Sequence, residues 1–464
     1  QDLTGYNKTT LNTISATFSA NWDLSWITKG LSVNGKMAYD VVQSFNKTWK
    51  KNWKYWKYDE ITEPYEEKTS ANFTSPNLSE SQNNCHTLTI NANINYDRDF
   101  NGHHVTALAG FEQSQFRRDK FNADINQYDS DILDEFFAGT ADKAYYGIGG
   151  SATETARRSF FGRVGYDWKS KYMIQGIVRF DGSENFPKEN RWGVFPGVSV
   201  GWRISEEPWV KDNAPALTNL KVRASFGQQG NDQVSAFQYM TTYAYSSAIR
   251  YSMEVDGKKV NAIIPGVIPN TWNVGVDGNI NNGMFGWEVE AFHTRRSNIL
   301  CSRSGSVPYY TGLTGSLPAE NIGIVSNKGF ELQLSHENRV ANGEFMYQLT
   351  GNFMFARNRI EYMDEAPYGE KYKYMEQTGH PMGSTLLYVA KGVNKTQEDL
   401  DNNPQYKGAT LGDLMFEDLD GDGKITSFDQ KRCDLTVVPE IVFGLNFNAQ
   451  YKGFDFTMLL QGQG

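Results

Sequence analysis

An unbroken alternation of polar and apolar residues runs through Thr87-Leu-Thr-Ile-Asn-Ala-Asn-Ile-Asn-Tyr96. Because successive side chains of a β-strand point to opposite faces, this pattern predicts a strand with one apolar and one polar face. The apolar face comprises Leu88, Ile90, Ala92, Ile94 and Tyr96, and the polar face comprises Thr87, Thr89, Asn91, Asn93 and Asn95. One face could meet lipid and the other water, although a soluble β-sandwich would alternate in the same way.

The same alternation recurs on both sides of short polar turns. Pairs of alternating segments are joined at Lys169-Ser-Lys171, Asn281-Asn-Gly283, Asn338–Gly343 and Lys452-Gly453. Residues of these types favour the tight backbone of a β-turn, so each pair of segments is predicted to form a β-hairpin.

Between the hairpins the predicted connections are long, and they lie near residues 43–86, 116–157, 182–193, 228–270, 298–325 and 358–439. The short ends lie near residues 25–30, 98–103, 169–171, 205–219, 281–284, 337–343 and 451–453. Outer-membrane barrels combine short periplasmic turns with long extracellular loops in this way, whereas long loops are uncommon in compact soluble domains. The prediction is therefore an all-β, transmembrane antiparallel β-barrel of about 14 strands over residues 1–464, with roughly 9–11 residues per strand in the wall.

The composition agrees with a barrel and argues against other classes. Hydrophobic residues make up 39% of the 464 residues, and no run approaches the ~18 apolar residues of a transmembrane helix. A net charge of −9 argues against nucleic-acid binding. The three cysteines are too widely spaced to suggest a metal site. Because the chain opens on Gln1 without a signal peptide and ends inside a strand pattern, we expect both ends to have been cut from something longer.

Several motifs then resemble the SusC/RagA-like TonB-dependent outer-membrane transporters of Bacteroidetes. They are Arg158-Ser-Phe-Phe-Gly-Arg-Val-Gly-Tyr-Asp-Trp168, Arg191-Trp-Gly-Val-Phe-Pro-Gly-Val-Ser-Val-Gly-Trp202, Asn327-Lys-Gly-Phe-Glu-Leu332 and Tyr451-Lys-Gly-Phe-Asp455. The resemblance implies a 22-stranded barrel with an N-terminal plug, of which this chain would hold the wall without the plug or the last strands. If both barrel ends are periplasmic, an odd number of strands is missing on each side, for example five before and three after.

The resemblance also implies a function. A transporter of this kind imports a bulky nutrient, an oligosaccharide or a peptide, across the Gram-negative outer membrane. TonB would supply the energy through the plug, and a SusD-like surface lipoprotein would deliver the ligand. Two alternatives stay open, a passive porin or adhesin-type barrel and a secreted all-β carbohydrate-binding protein or enzyme.

The sharpest local motif is Asp418-Leu-Asp-Gly-Asp-Gly-Lys-Ile-Thr-Ser-Phe-Asp429 in the predicted extracellular loop 358–439. Its spacing is that of an EF-hand loop, which wraps oxygen ligands around Ca²⁺. The expected ligands are Asp418, Asp420, Asp422, the carbonyl of Lys424, Thr426 and Asp429. Asp429 stands where Glu is usual, and an ion-free acidic turn is the alternative.

An aromatic and basic stretch, Trp49-Lys-Lys-Asn-Trp-Lys-Tyr-Trp-Lys-Tyr58, falls in the first long connection. Aromatic faces stack on sugar rings, so Trp49, Trp53, Trp56 and Tyr58 are candidate substrate-binding residues. The alternative is a loop that packs on its neighbours. For catalysis, neither the six histidines nor the serines form a recognised catalytic motif, so we expect a protein that is not an enzyme.

Overall fold

The computed structural model describes residues 4–58, 65–69, 75–232, 268–303, 305–307, 309–311 and 319–464. Within these ranges the strands are, in chain order, β1 (Gly5–Asp23), β2 (Leu31–Lys50), β3 (Lys54–Tyr58), β4 (Tyr65–Thr69), β5 (Asn77–Phe100), β6 (His103–Ile125), β7 (Tyr146–Trp168), β8 (Tyr172–Ser183), β9 (Trp192–Arg203), β10 (Leu217–Gln228), β11 (Ile268–Ile280), β12 (Phe285–Ser302), β13 (Ala319–Val340), β14 (Phe345–Tyr362), β15 (Thr385–Tyr388), β16 (Ala390–Val393), β17 (Leu414–Phe416), β18 (Gln430–Cys433), β19 (Ile441–Tyr451) and β20 (Phe454–Gln463).

Helices are short. Two α-helices occur in the described residues, α1 (Pro208–Asn213) and α2 (Gln397–Asn402). Single 3₁₀ turns lie at Phe136–Ala138, Lys143–Tyr145, Lys188–Asn190, Ile204–Glu206, Asn281–Gly283, Tyr309–Thr311, Ala341–Gly343, Glu370–Met375 and Ser427–Asp429. Among the described residues, none of these helices has the length and apolar character required to cross a bilayer.

Fourteen long strands form one antiparallel sheet in the order β1-β2-β5-β6-β7-β8-β9-β10-β11-β12-β13-β14-β19-β20. Each strand therefore pairs with the next long strand along the chain, and the predicted number of about 14 is confirmed. The remaining pairs, β3–β4, β15–β18 and β16–β17, are separate two-stranded sheets within the long connections.

The chain forms two compact units. One comprises residues 1–95 and 109–160, and its described strands are β1 to β4 with the greater part of β5 and β6 and the first part of β7. The other comprises residues 96–108 and 161–464, and it holds the β5–β6 turn, the end of β7 and every later strand.

Short and long connections alternate as predicted, and several of the short turns have left-handed backbone. Asn101 and Gly102 join β5 to β6 with φ of 48° and 88°. Asn281, Asn282 and Gly283 join β11 to β12 with φ of 51°, 58° and 93°. Asn, Asp and Gly reach this region at least cost, and turns of this hand match the twist of the flanking strands.

The apolar face of the sheet is the exposed one. In the first unit, Ile94 on β5 is 52% exposed and Phe18 on β1 is 73% exposed. The side chains on the opposite, polar face are hydrogen-bonded to one another: Asn93 accepts from Asn34 at 3.1 Å and from Asn95 at 2.7 Å. A soluble sandwich would bury its apolar face, so the alternation is that of a membrane wall with lipid on one side.

The strands are longer than the sequence indicated, and some predicted loop boundaries are wrong. β2 continues to Lys50 and β5 begins at Asn77, inside the predicted loop 43–86. β6 continues to Ile125 and β7 begins at Tyr146, inside the predicted loop 116–157. Beyond the bilayer both faces of a strand meet water, so apolar alternation disappears while backbone pairing continues. The predicted loop 228–270 falls mostly on residues 233–267, outside the described residues, as do parts of loops 43–86 and 298–325.

The longest connection runs from Tyr362 to Ile441, close to the predicted 358–439. It is folded, with two small two-stranded sheets, α2 and two 3₁₀ segments. Asn394 is fully buried in it and exchanges two amide hydrogen bonds with Gln405, at 2.9 and 3.0 Å. These paired amides satisfy polar groups that would otherwise be costly to bury.

Candidate functional site

Three aspartates converge in the long connection between β17 and β18. Asp418, Asp420 and Asp422 each offer a carboxylate oxygen, and these oxygens lie within 4.8 Å of one another. Two oxygens bound to the same Ca²⁺ can be at most about 5 Å apart, because each Ca–O distance is 2.3–2.6 Å. The spacing therefore fits one shared cation.

The backbone of the loop fixes this convergence of the three aspartates. Gly421 and Gly423 have φ of 73° and 81°, which a residue with a side chain adopts at a cost. The amides of both glycines donate to the carboxylate of Asp418, at 2.7 and 2.8 Å. Those bonds turn the segment sharply and direct the side chains of Asp418, Asp420 and Asp422 towards the same point.

Asp429 closes the segment. It is fully buried, and one of its oxygens accepts from the amide of Leu419 at 2.8 Å while the other accepts from the amide of Thr426 at 2.7 Å. Thr426 and Asp429 also form a capping box for the 3₁₀ turn Ser427–Asp429. The structure therefore brings Asp418, Asp420 and Asp422 together and uses Thr426 and Asp429 to clamp the loop. The ligand roles of these five residues and of Lys424 stay predictions.

Residues of an earlier segment, which the sequence analysis did not identify, contact the aspartate loop. Tyr372 donates to Asp420 at 3.3 Å, and the ammonium of Lys371 lies 3.8 Å from the same carboxylate. Tyr374 donates to the carbonyl of Phe428 at 2.6 Å, and burial together with the nearby Asp420 raises the pKa of Tyr374. Lys371 is the one cation within salt-bridge distance of the three converging aspartates among the described residues, and a bound cation would offset their remaining repulsion. No sequence spacing pointed to this aromatic support, since it lies almost 50 residues earlier.

The four candidate residues of the aromatic stretch 49–58 do not share one environment. Trp49, at the end of β2, is only 2% exposed and packs edge-on against Tyr128 at 4.8 Å between ring centroids, beside Leu78 and Ile125. A ring in this position cannot stack on a sugar, so the interpretation of Trp49 as a ligand-contacting residue is replaced by one of packing. The sequence could not reveal this because Tyr128 comes from the following long connection.

Trp53, Trp56 and Tyr58 stand in or beside the β3–β4 hairpin and are exposed. Trp53 lies 5.6 Å from Tyr55, and Tyr58 lies 5.3 Å from Tyr65 across the hairpin, between ring centroids. Such a surface offers aromatic faces to a ligand, and the role of these three residues in substrate binding stays a prediction.

The polar face of the second unit carries a charged cluster on β10, β11 and β12. Arg223 donates to Asp277 at 3.2 Å and to Glu288 at 2.7 Å, and it also pairs with Glu290. Glu290 in turn accepts from Asn273. A recess of about 370 Å³ runs beside Arg223 towards His104, and its lining mixes polar groups such as Gln175 and Asn273 with apolar ones. The face opposite the lipid therefore carries a charged, hydrogen-bonded cluster around Arg223.

The comparisons with known proteins agree with this geometry. Residues 1–456 match the family described as "TonB dependent receptor-like, beta-barrel". This chain belongs to that family of outer-membrane receptors and transporters, and its strands form part of an outer-membrane β-barrel.

Particular relatives point to the SusC/RagA branch. The TonB-dependent receptor SusC of Bacteroides thetaiotaomicron is 27% identical over 392 residues, covering 81% of this chain and 37% of that protein. TonB-dependent receptor P3 of Formosa agariphila is 25% identical over 406 residues, covering 82% of this chain and 39% of that protein. The chain thus spans less than two fifths of the length of these curated relatives.

Among solved structures, the RagAB peptide transporter superposes with a TM-score of 0.76 at 18% identity, over 98% of this chain and 48% of that chain. At that identity the likeness concerns the fold. The resemblance to SusC/RagA-like proteins is confirmed by these findings.

Proposed function

We propose that this chain is part of the wall of an importer that takes a bulky nutrient, an oligosaccharide or a peptide, across the outer membrane with energy supplied through TonB. The observation that carries the proposal is the family match over residues 1–456. An exposed apolar face and a polar opposite face support it, because a membrane passage needs lipid on one side and water on the other.

The proposed partners are those expected for the family. TonB would act on a plug outside this chain, and a SusD-like surface lipoprotein would deliver the ligand to the extracellular loops. Trp53, Trp56 and Tyr58 support a carbohydrate ligand, because exposed aromatic rings stack on sugars. Peptides are the second ligand class, because RagAB, whose fold this chain shares, is a peptide transporter.

The proposal is tested with the complete protein in its native cell. Cells that carry or lack the gene are given fluorescent oligosaccharides and fluorescent peptides, and internalised label is measured with and without a protonophore. We expect uptake of one class to require both the gene and the proton gradient. Gene-dependent uptake that persists after collapse of the gradient would instead establish a passive porin.

We also propose that the Asp418–Asp429 loop binds Ca²⁺, with Asp418, Asp420 and Asp422 as carboxylate ligands, the carbonyl of Lys424 as a further oxygen, and Thr426 and Asp429 completing the site. The convergence of three carboxylates to within 4.8 Å supports it. The ion would offset repulsion among the aspartates and stiffen the extracellular connection. Its role would be structural and not catalytic.

A further inference from the structure

The apolar, lipid-facing side of the sheet ends at a common level on β12, β13 and β14. Ala291 pairs with Phe330, and Phe330 pairs with Phe355, so these three residues form a row across the strands. On the short-turn side of this row the same face continues with Val289, Leu332 and Phe353. Lipid-facing bands of outer-membrane barrels are roughly 25 Å tall and end where the headgroups begin.

The next outward-facing row towards the long loops is basic on all three strands. His293 pairs with Lys328, and Lys328 pairs with Arg357. Directly opposed residues have Cβ atoms about 5 Å apart, so the three side chains stand side by side at the upper limit of the apolar band. All three are exposed. We call His293, Lys328 and Arg357 the basic row.

Part of the positive charge of this row has no acidic partner among the residues that the structure describes. Arg357 is held by Glu440 through three hydrogen bonds of 2.6, 2.8 and 3.0 Å, and its guanidinium lies 5.4 Å from the ring centroid of Phe355. Lys328 has no acidic partner within salt-bridge distance among the residues that the structure describes. An ammonium group without a counter-ion, between an imidazole and a guanidinium, favours an anion from outside.

The next outward-facing row towards the long loops also contains basic residues, but these have acidic partners. Arg295 pairs with Glu361 at 2.8 Å, and Arg359 pairs with Asp434 at 2.8 Å. Those cations are matched by the protein's own carboxylates. The free charge is therefore concentrated at the level where the apolar band ends, and Lys328 is at its centre.

We propose that the basic row binds the phosphorylated headgroup of a lipid in the outer leaflet of the membrane. The position favours one occupant: an anion bound at Lys328 lies directly above Phe330 and Phe355, where acyl chains attached to it would rest. A phosphate group supplies the acceptor oxygens that ammonium and guanidinium groups bind best, and the acyl chains cover the apolar rows below. This assignment is independent of which nutrient the transporter carries.

The test uses the complete transporter purified in detergent. Micelles are doped with lipid A bearing its phosphates or with the same lipid after enzymatic removal of the phosphates, and retained lipid is measured by native mass spectrometry. The double variant His293→Asn with Lys328→Gln is compared with the wild type. Lys169→Gln is the matched control, because Lys169 is exposed at the opposite, short-turn end of the sheet. Heat-modifiable gel mobility establishes that every variant is folded.

We expect the wild type and Lys169→Gln to retain the phosphorylated lipid at least about tenfold better than the dephosphorylated one, and the double variant to lose this preference. Equal retention by all three proteins would overturn the proposal. So would equal loss in Lys169→Gln, since binding would then follow total charge. Displacement of the lipid by millimolar inorganic phosphate would also overturn it, because the row would then be an anion site that does not require a lipid.

Discussion

The hydroxyl of Tyr172 donates a hydrogen bond of 2.6 Å to the carboxylate of Glu207. Tyr172 begins β8, and Glu207 lies in the short connection that follows β9. The same carboxylate accepts from the indole N–H of Trp202 at 3.0 Å and pairs with Lys171 at 2.6 Å. Tyr172 and Trp202 stack at 6.4 Å between ring centroids, so one acidic group orders the aromatic residues at the short-turn end of these strands.

This arrangement predicts a pH dependence. The hydrogen bond from Lys171, with those from Tyr172 and Trp202, lowers the pKa of Glu207 from 4.5 to about 2. A group whose folded pKa is depressed stabilises the fold above its unfolded pKa, and that contribution is lost as the pH falls from about 4.5 towards about 2. We expect tryptophan fluorescence and near-ultraviolet circular dichroism to change over this window.

Glu207→Gln should remove that transition and leave the aromatic signal already altered at pH 7. Glu189→Gln, at an exposed site between β8 and β9, is the control and should keep it. An unchanged transition in Glu207→Gln would refute the assignment of the titration to this carboxylate.

A second prediction concerns the Asp418–Asp429 loop. Asp420→Asn removes one of the three converging carboxylates, and we expect Ca²⁺ affinity to fall by at least about tenfold, because affinity follows ligand charge. Calorimetry on the complete protein measures the affinity. Limited proteolysis, with Ca²⁺ and with a chelator, reports the stiffness of residues 363–440.

Asp401→Asn is the matched control, since Asp401 is exposed on α2 in the same connection. It should bind Ca²⁺ like the wild type. Identical proteolysis with and without the ion, and no heat of binding to the wild type, would mean that the acidic turn holds no cation.

A third prediction separates two tryptophans of one stretch. Trp49→Ala removes a ring that packs against Tyr128 and Leu78, and we expect a loss of ~3–5 kcal/mol in the free energy of unfolding. Trp56 is 63% exposed, so Trp56→Ala should leave stability within about 0.5 kcal/mol. Urea unfolding in detergent measures both. If a glycan ligand binds at the β3–β4 hairpin, Trp56→Ala should weaken glycan uptake without lowering the stability of the protein. Trp49→Ala should affect uptake only through its loss of stability.

A fourth prediction tests which face of the sheet meets lipid. Leu334 belongs to the exposed apolar face of β13, and the adjacent Gln333 belongs to the polar face. Leu334→Arg should cost ~2–4 kcal/mol when the protein folds into lipid vesicles, because it places a cation in the hydrocarbon region.

Gln333→Arg is the control, and it should fold almost normally because its side chain faces water. Folding yield is measured by heat-modifiable gel mobility. Equal yields for the two variants would contradict the assignment of the faces.

Much of the fold could be predicted because strand alternation is a local property. Side chains at Ile90, Ala92 and Ile94 share a face whatever the rest of the chain does, and turn residues such as Asn281-Asn-Gly283 mark where a strand reverses. The number of long strands, their antiparallel order and the two kinds of connection followed from these signals. Strand ends were misjudged where both faces meet water, since no alternation remains there to mark them.

The sequence by itself determined the membrane wall, the family and the spacing of Asp418, Asp420 and Asp422, because each depends on neighbours along the chain. Only the tertiary structure decided that Trp49 is buried while Trp56 is exposed, since the covering residue Tyr128 lies in another connection. It also decided that His293, Lys328 and Arg357 form one row. Their spacing in sequence carries no such information: strand register, set by backbone hydrogen bonds between strands, places them side by side.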